Sequence, residues 1–191
     1  MGLGYQNLLV TQQAAGTLFN TYTTSKSVIN PQATWIMPGG WLYIGKKIRL
    51  LIQGAISNRV TGPDTTTFEV KVGPTANIVA FTTGAMILTT TAHTTIPFWC
   101  EIDLTCRSVG NGTNATLMGQ ARVTGQMFQQ SGTAAADSLS GCTIMAPNTA
   151  PAVGTGFDST TASILDFWVA QSFSGAGNGI QIQQYAVEEV N

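Results

Sequence analysis

From Gly45 to Ser57 the chain reads GKKIRLLIQGAIS. Ile48, Leu50, Ile52 and Ile56 fall on one side of the alternation, and Lys47, Arg49 and Gln53 on the other, with Leu51 the exception. A period of two predicts a strand with one face buried and one face wet. TTFEVKVG follows a GPD turn and repeats the pattern, with Phe68, Val70 and Val72 inward and Glu69 and Lys71 outward. The two runs read as a hairpin or as near neighbours in one sheet. NIVAFTTGAMIL (Asn77 to Leu88) predicts one or two short strands around Gly84. ATLMGQARVTG sets Leu117, Ala121 and Val123 against Met118, Gln120 and Arg122. TTASILDFWVAQSFS is apolar on both faces and predicts a central strand covered on both sides. NGIQIQQYAVEEV predicts a closing strand.

IPFWCEIDLTCRSVGNGTN concentrates cysteines and charge. In a strand Phe98, Cys100, Ile102, Leu104 and Cys106 share one face, while Glu101, Asp103, Thr105 and Arg107 take the other. Six residues of strand separate Cys100 from Cys106 by about 20 Å, far beyond disulfide reach, so they read as small buried hydrophobes. Asn111-Gly112 is a hairpin signal leading into the next strand.

No amphipathic helix and no fixed-period repeat interrupts this sequence of short runs. Roughly eight strands at this spacing predict an all-β fold, a jelly-roll-like antiparallel sandwich. Ser131 to Ser159, rich in small residues and breakers, reads as a long surface loop with one short strand near Thr143 to Met145. Residues 1 to 35 fit less well and are expected to form an extended N-terminal arm and a first strand region, with a single sandwich domain over 36 to 191.

Composition changes the picture in one respect. Only 9% of the 191 residues are charged and the net charge is -1, against about 25% charged in ordinary domains. Such a surface has little self-repulsion to keep copies apart, which favours assembly. Eight Lys and Arg against nine acids leave no basic excess, and Lys46, Lys47 and Arg49 make a cluster too small for phosphate-backbone binding. These read as solvated residues where a strand begins, and no nucleic-acid partner is expected. No apolar run approaches the length of a membrane helix, so no membrane partner is expected either. MGLGYQNLLVTQQ has neither the charged nor the apolar region of a secretory leader, so synthesis in a cytoplasm is expected. Three cysteines do not suggest a secreted disulfide framework.

Candidate chemistry is sparse. The single histidine, His93, lies in a Thr-rich segment without a nucleophile motif and reads as a surface residue. There is no C-x-x-C pair and no acid-rich loop for zinc or calcium, and Asp137 and Asp158 read as turn caps. The Gly-rich segments lack the strand-to-helix context of a phosphate loop. Glu101 and Asp103, at i and i+2, stand roughly 6.6 Å apart along a strand, which a glycosidase pair would allow. Arg107 on the same face or Arg122 on the next strand offers a simpler role as charge partner. No catalytic residue, metal or cofactor is expected.

The order MPGGWLYIGKKIRLLIQGAIS, TTFEVKVG, IPFWCEIDLTCRSVGNGTNATLMGQARVTG and ILDFWVAQSFSGAGNGIQIQQYAVEEVN resembles small β-sandwich virion proteins of tailed bacteriophages. The matching positions are Gly45, Ile48, Arg49, Gly54 and Ser57, then Pro97, Phe98, Thr105, Arg107, Ser108, Val109 and Gly110, then Asn178 and Ile180. The resemblance covers about residues 38 to 190. It implies a jelly-roll-like fold and a structural place on the virion, made in the bacterial host. Its leading form is a head decoration (cement) protein, a homotrimer seated on the major capsid protein. The alternative is a tail or fibre component, or a receptor- or carbohydrate-binding sandwich module. On the first reading Tyr5, Leu8, Leu9 and Val10 form an arm that reaches a neighbour, and Trp41 joins them in the assembly interface. Trp35, Trp41 and Tyr43 are expected in the core or between subunits rather than in an open groove.

Overall fold

The computed structural model describes residues 6–20, 23–59, 64–129, 142–147, 149–175 and 177–190. Among these residues thirteen strands and one short 3-10 turn (Pro31–Ala33) make up the regular structure. The first sheet runs β1 (Gln6–Thr11), β13 (Gly179–Val190), β4 (Lys47–Asn58), β8 (His93–Ser108), β9 (Thr116–Gly125) and β11 (Cys142–Ala146) in that spatial order. The second centres on β5 (Thr65–Val72) and β12 (Ser163–Gln171). Along the free edge of β5 lie β6 (Ile78–Thr82) and β7 (Met86–Leu88), with β10 (Phe128–Gln129) beyond β7. Along the free edge of β12 lie β2 (Lys26–Ser27) and β3 (Trp35–Met37). Every pairing is antiparallel, and the architecture is the expected all-β sandwich.

One expectation is corrected. β4 and β5 are not a hairpin: β4 belongs to the first sheet and β5 to the second. Two of the chain's several crossings between the layers lie between β4 and β5 and between β12 and β13. Since β4 pairs with β13 while β5 pairs with β12, the two crossings are nested, which is the rolled ribbon of a jelly roll. Hairpins do form at β5–β6 and at β8–β9, the second reversed around Asn111 and Gly112, with Gly112 at φ 65°. More strands occur than the roughly eight expected from pattern, because the edges are built of pieces too short to show a period.

The inner faces are those the alternation marks. Ile48, Leu50 and Ile52 of β4 and Phe68, Val70 and Val72 of β5 are fully covered. Phe68 is the hub between the layers, its ring 5.7 Å from Phe98, 6.0 Å from Phe128 and 5.3 Å from Phe167. Gly54 gives Phe98 its place: a Cβ there would lie 2.9 Å from the ring edge and 2.5 Å from the Gln181 carbonyl. Cys100 and Cys106 are both buried and free on the inner face of β8.

β12 is central, as its sequence predicts, but its second face is not purely apolar. Asp166 is buried there, accepting from Ser27 Oγ at 3.1 Å and from Trp168 Nε1 at 2.9 Å. Lys71 lies over the Trp168 ring at 4.0 Å and pairs with Glu69 at 3.2 Å. The segment around β2 thus covers polar groups that would otherwise face water.

Candidate assembly surface

One group of charges lies on the outer face of the first sheet. Arg49 of β4 stands opposite Asp103 of β8 on one side and Glu188 of β13 on the other. Its Nε lies 2.9 Å from Asp103 Oδ1 and 3.2 Å from Glu101 Oε1, and Lys47 Nζ reaches Asp103 at 3.3 Å. Burial pushes the Asp103 carboxyl up, but the hydrogen bond and charge of Arg49, with Lys47 behind them, outweigh it and hold it below the usual carboxylate range. Glu101 and Asp103 are therefore tied to one guanidinium.

Their partner is not the one expected. Arg107 contacts the Met118 sulfur, and Arg122, although directly opposite Glu101, joins no ion pair among the described residues. The basic cluster is not solvated either. Lys46 is buried, its Nζ 2.6 Å from Glu189 Oε1 and 3.6 Å above the Trp41 ring. Alternation reveals which residues share a face, but two neighbouring strands compete for each outward charge, and only the register decides.

Trp41 and Leu8 lie toward the same end of the sandwich. Trp41 packs edge-on against Trp35 at 4.9 Å and, through Lys46, is coupled to β13. Leu8 pairs in register with Glu188 of that strand. Leu9 and Val10 pack against the core, whereas Leu8 is 56% exposed; Tyr5 lies outside the described residues. From Gln6 to Thr11 the expected arm is thus an edge strand of its own sheet.

At this end β3 and the loops carry exposed apolar side chains. Ile36 is 63%, Ile44 68%, Tyr43 51% and Val109 41% exposed. Ser159 ties the loops together: its carbonyl accepts from Gly40 N at 2.8 Å and its Oγ from Gly110 N at 2.9 Å. Gly45 N, in turn, donates to the Cys106 carbonyl at 2.9 Å. Several positions of the sequence resemblance serve this framework. Gly45 and Gly110 sit in turns at φ 91° and 152°. At the opposite end, where β4 finishes and β13 begins, buried Asn178 donates to Asp64 at 3.0 Å and accepts from Arg59 N at 3.1 Å.

The remaining candidates are structural in their surroundings. His93 opens β8, its backbone N–H donating to Asn58 Oδ1 at 2.8 Å. Asp158 caps a turn through Thr160 N at 2.8 Å, and Asp137 lies outside the described residues. Among the described residues no three His, Cys, Asp or Glu side chains are placed to hold a metal ion. Burial pushes the Cys100 thiol far up, and the Cys106 thiol up as well against a weaker opposing hydrogen bond with Ser108.

One residue escaped notice in the sequence. Trp99 alternates with the apolar side chains of β8 and so falls on the polar face, beside Glu101 and Asp103. A tryptophan in register with acids was the available signal.

No family model matches the chain, and no curated protein sequence matches it. Among solved structures, the CBM2 module of the evolved Dit of Lactobacillus casei BL23 phage J-1 is similar at a TM-score of 0.37 and 8% identity, over 98% of this chain and 97% of that one. A likeness of that degree assigns neither family nor activity.

Proposed function

We propose that the protein is a structural component of a tailed-phage virion that acts by assembly and not by catalysis. In its finer form it is a head decoration protein, a homotrimer bound to the major capsid protein. The observation that carries the reading is the exposure of Ile36, Tyr43, Ile44 and Val109 on segments that Ser159 and Gly45 tie together at one end of the sandwich. Single exposed hydrophobes need no explanation, but several on neighbouring loops mark a contact surface. Burying such area contributes about 25 cal/mol per Å² before ordering costs. The few charges nearby are already paired within the chain, so the contact would be insensitive to salt.

The sequence resemblance supplies the virion. The test is sedimentation of the purified chain, followed by imaging of particles carrying a label on it. A trimer whose label decorates the head supports the finer reading. A label on the tail transfers the protein to the alternative, and a monomer that binds no particle removes both. In the Ile44→Asp variant the fold should persist while oligomer or attachment is lost.

A further inference from the structure

Across the outer face of the first sheet, one row of residues carries no charge. Gln184 of β13 stands opposite Gln53 of β4, Gln53 opposite Trp99 of β8, Trp99 opposite Thr124 of β9, and Thr124 opposite Thr143 of β11. At about 4.8 Å between strands, the row is about 19 Å long. Two hollows open on it and share Gln53. One of about 500 Å³ is lined by Trp99, Pro97, Thr124 and Gln126, and one of about 260 Å³ lies beside Gln184.

Apart from one pair, the polar side chains here are unspent. Thr124 and Thr143 join their hydroxyls at 2.9 Å. The side-chain amides of Gln53, Gln126 and Gln184 and the indole N–H of Trp99 make no hydrogen bond within the chain among the described residues. A half-buried indole with two free amides beside it and a third one strand further along, and no cation or anion in the row, selects against phosphates and carboxylates. It suits a ligand that has apolar ring faces and many neutral hydroxyls. A sheet face also offers no free backbone groups to an added peptide strand.

We infer that this row is a binding subsite for a neutral oligosaccharide, with a sugar ring stacked on Trp99 and its hydroxyls held by Gln53, Gln126 and Gln184. The inference goes beyond the assembly role and does not depend on it, because the row lies on the sheet face and the apolar contacts lie at one end of the sandwich.

The experiment is calorimetric titration of the full chain with maltohexaose, cellohexaose, mannohexaose and chitohexaose, each at low and high salt. Saturable binding of at least one is expected, changing less than about twofold between about 0.05 and 0.5 M salt. Trp99→Ala should weaken it about tenfold or more, equivalent to about 1.4 kcal/mol, while Trp99→Phe keeps most of it. If Trp99→Ala does not fold, Gln53→Ala and Gln126→Ala, both at exposed positions, decide by a loss of several-fold. Absence of binding to all four sugars overturns the inference, as does binding that survives these substitutions. If Trp99→Ala alters sedimentation but no saccharide affinity exists, the row is a subunit contact and the inference also fails. Failure of the assembly reading leaves the titration unchanged, so the two are separable.

Discussion

Arg49 and Asp103 face each other across β4 and β8 and share two contacts, Nε to Oδ1 at 2.9 Å and Nη2 to Oδ2 at 3.3 Å. A forked, charge-assisted pair on a sheet face contributes more than a single exposed ion pair, although partial exposure screens it. Asp103→Asn should lower stability by about 1 kcal/mol at neutral pH in low salt. The sign with pH follows from the depressed carboxyl of Asp103. Its contribution is present above the unfolded value of about 3.9 and is lost as pH falls through the lower folded value. Urea titrations of both proteins should therefore converge at strongly acid pH. A stability gap that persists there would remove the pair as its cause.

Asp166 should behave in the opposite sense. Burial pushes its carboxyl up, and the hydrogen bonds from Ser27 and Trp168 with the charge of Lys71 only partly offset this. A carboxyl raised in the folded state binds its proton more tightly there than in the unfolded chain. Stability is then gained as pH falls from above the raised value toward about 4. Relative to Asp166→Asn, the parent protein should gain stability between neutral pH and about pH 4.5. Unfolding midpoints measured across that range check it, and a constant difference sinks the assignment.

These two acids show what the sequence made legible. The period placed Asp103 on an outward face, whereas Asp166 falls in a run apolar on both sides, which predicted only a strand covered on both faces. It could not reveal that β2 covers Asp166 while the Asp103 face stays open, because that depends on a two-residue strand without any pattern of its own. The long runs, β4, β5, β8, β9 and β13, were readable because eight or more residues of alternation outweigh local noise. The layer change between β4 and β5 was not, since short connections look alike whether they return to the same sheet or cross to the other. For the candidate site, the sequence pointed to Trp41 and the first strand. The exposed side chains of Ile36, Ile44 and Val109 are ordinary apolar letters, and only their accessibility distinguishes them.

The cysteines give a direct chemical test. Cys100 and Cys106 are buried free thiols on one face of β8, and burial pushes both up. The thiolate is the reactive form, so neither should react with a thiol reagent while the chain is folded. In a Cys142→Ser background, colorimetric titration should find no accessible thiol in buffer and two in denaturant. Prompt labelling of the folded protein would contradict the packing of β8. Cys100→Ser, which buries a hydroxyl in place of sulfur, should cost about 1 to 3 kcal/mol.

Phe81 of β6 lies directly over Gly119 of β9. A Cβ at Gly119 would fall 2.3 Å from the Phe81 ring and 2.9 Å from Leu104 Cδ2. The glycine is therefore required by the space the ring occupies and not by its backbone, whose φ is not positive. Gly119→Ala should destabilise by about 2 kcal/mol through overpacking, with the unfolding transition still cooperative. Phe81→Leu alone should cost about 1 to 2 kcal/mol because it removes buried ring area. Together they should cost less than the sum by about 1 kcal/mol or more, because the smaller side chain vacates the volume that the new methyl needs. Strict additivity in the double-mutant cycle would show that Gly119 is kept for another reason, and that β6 does not rest on β9 as described.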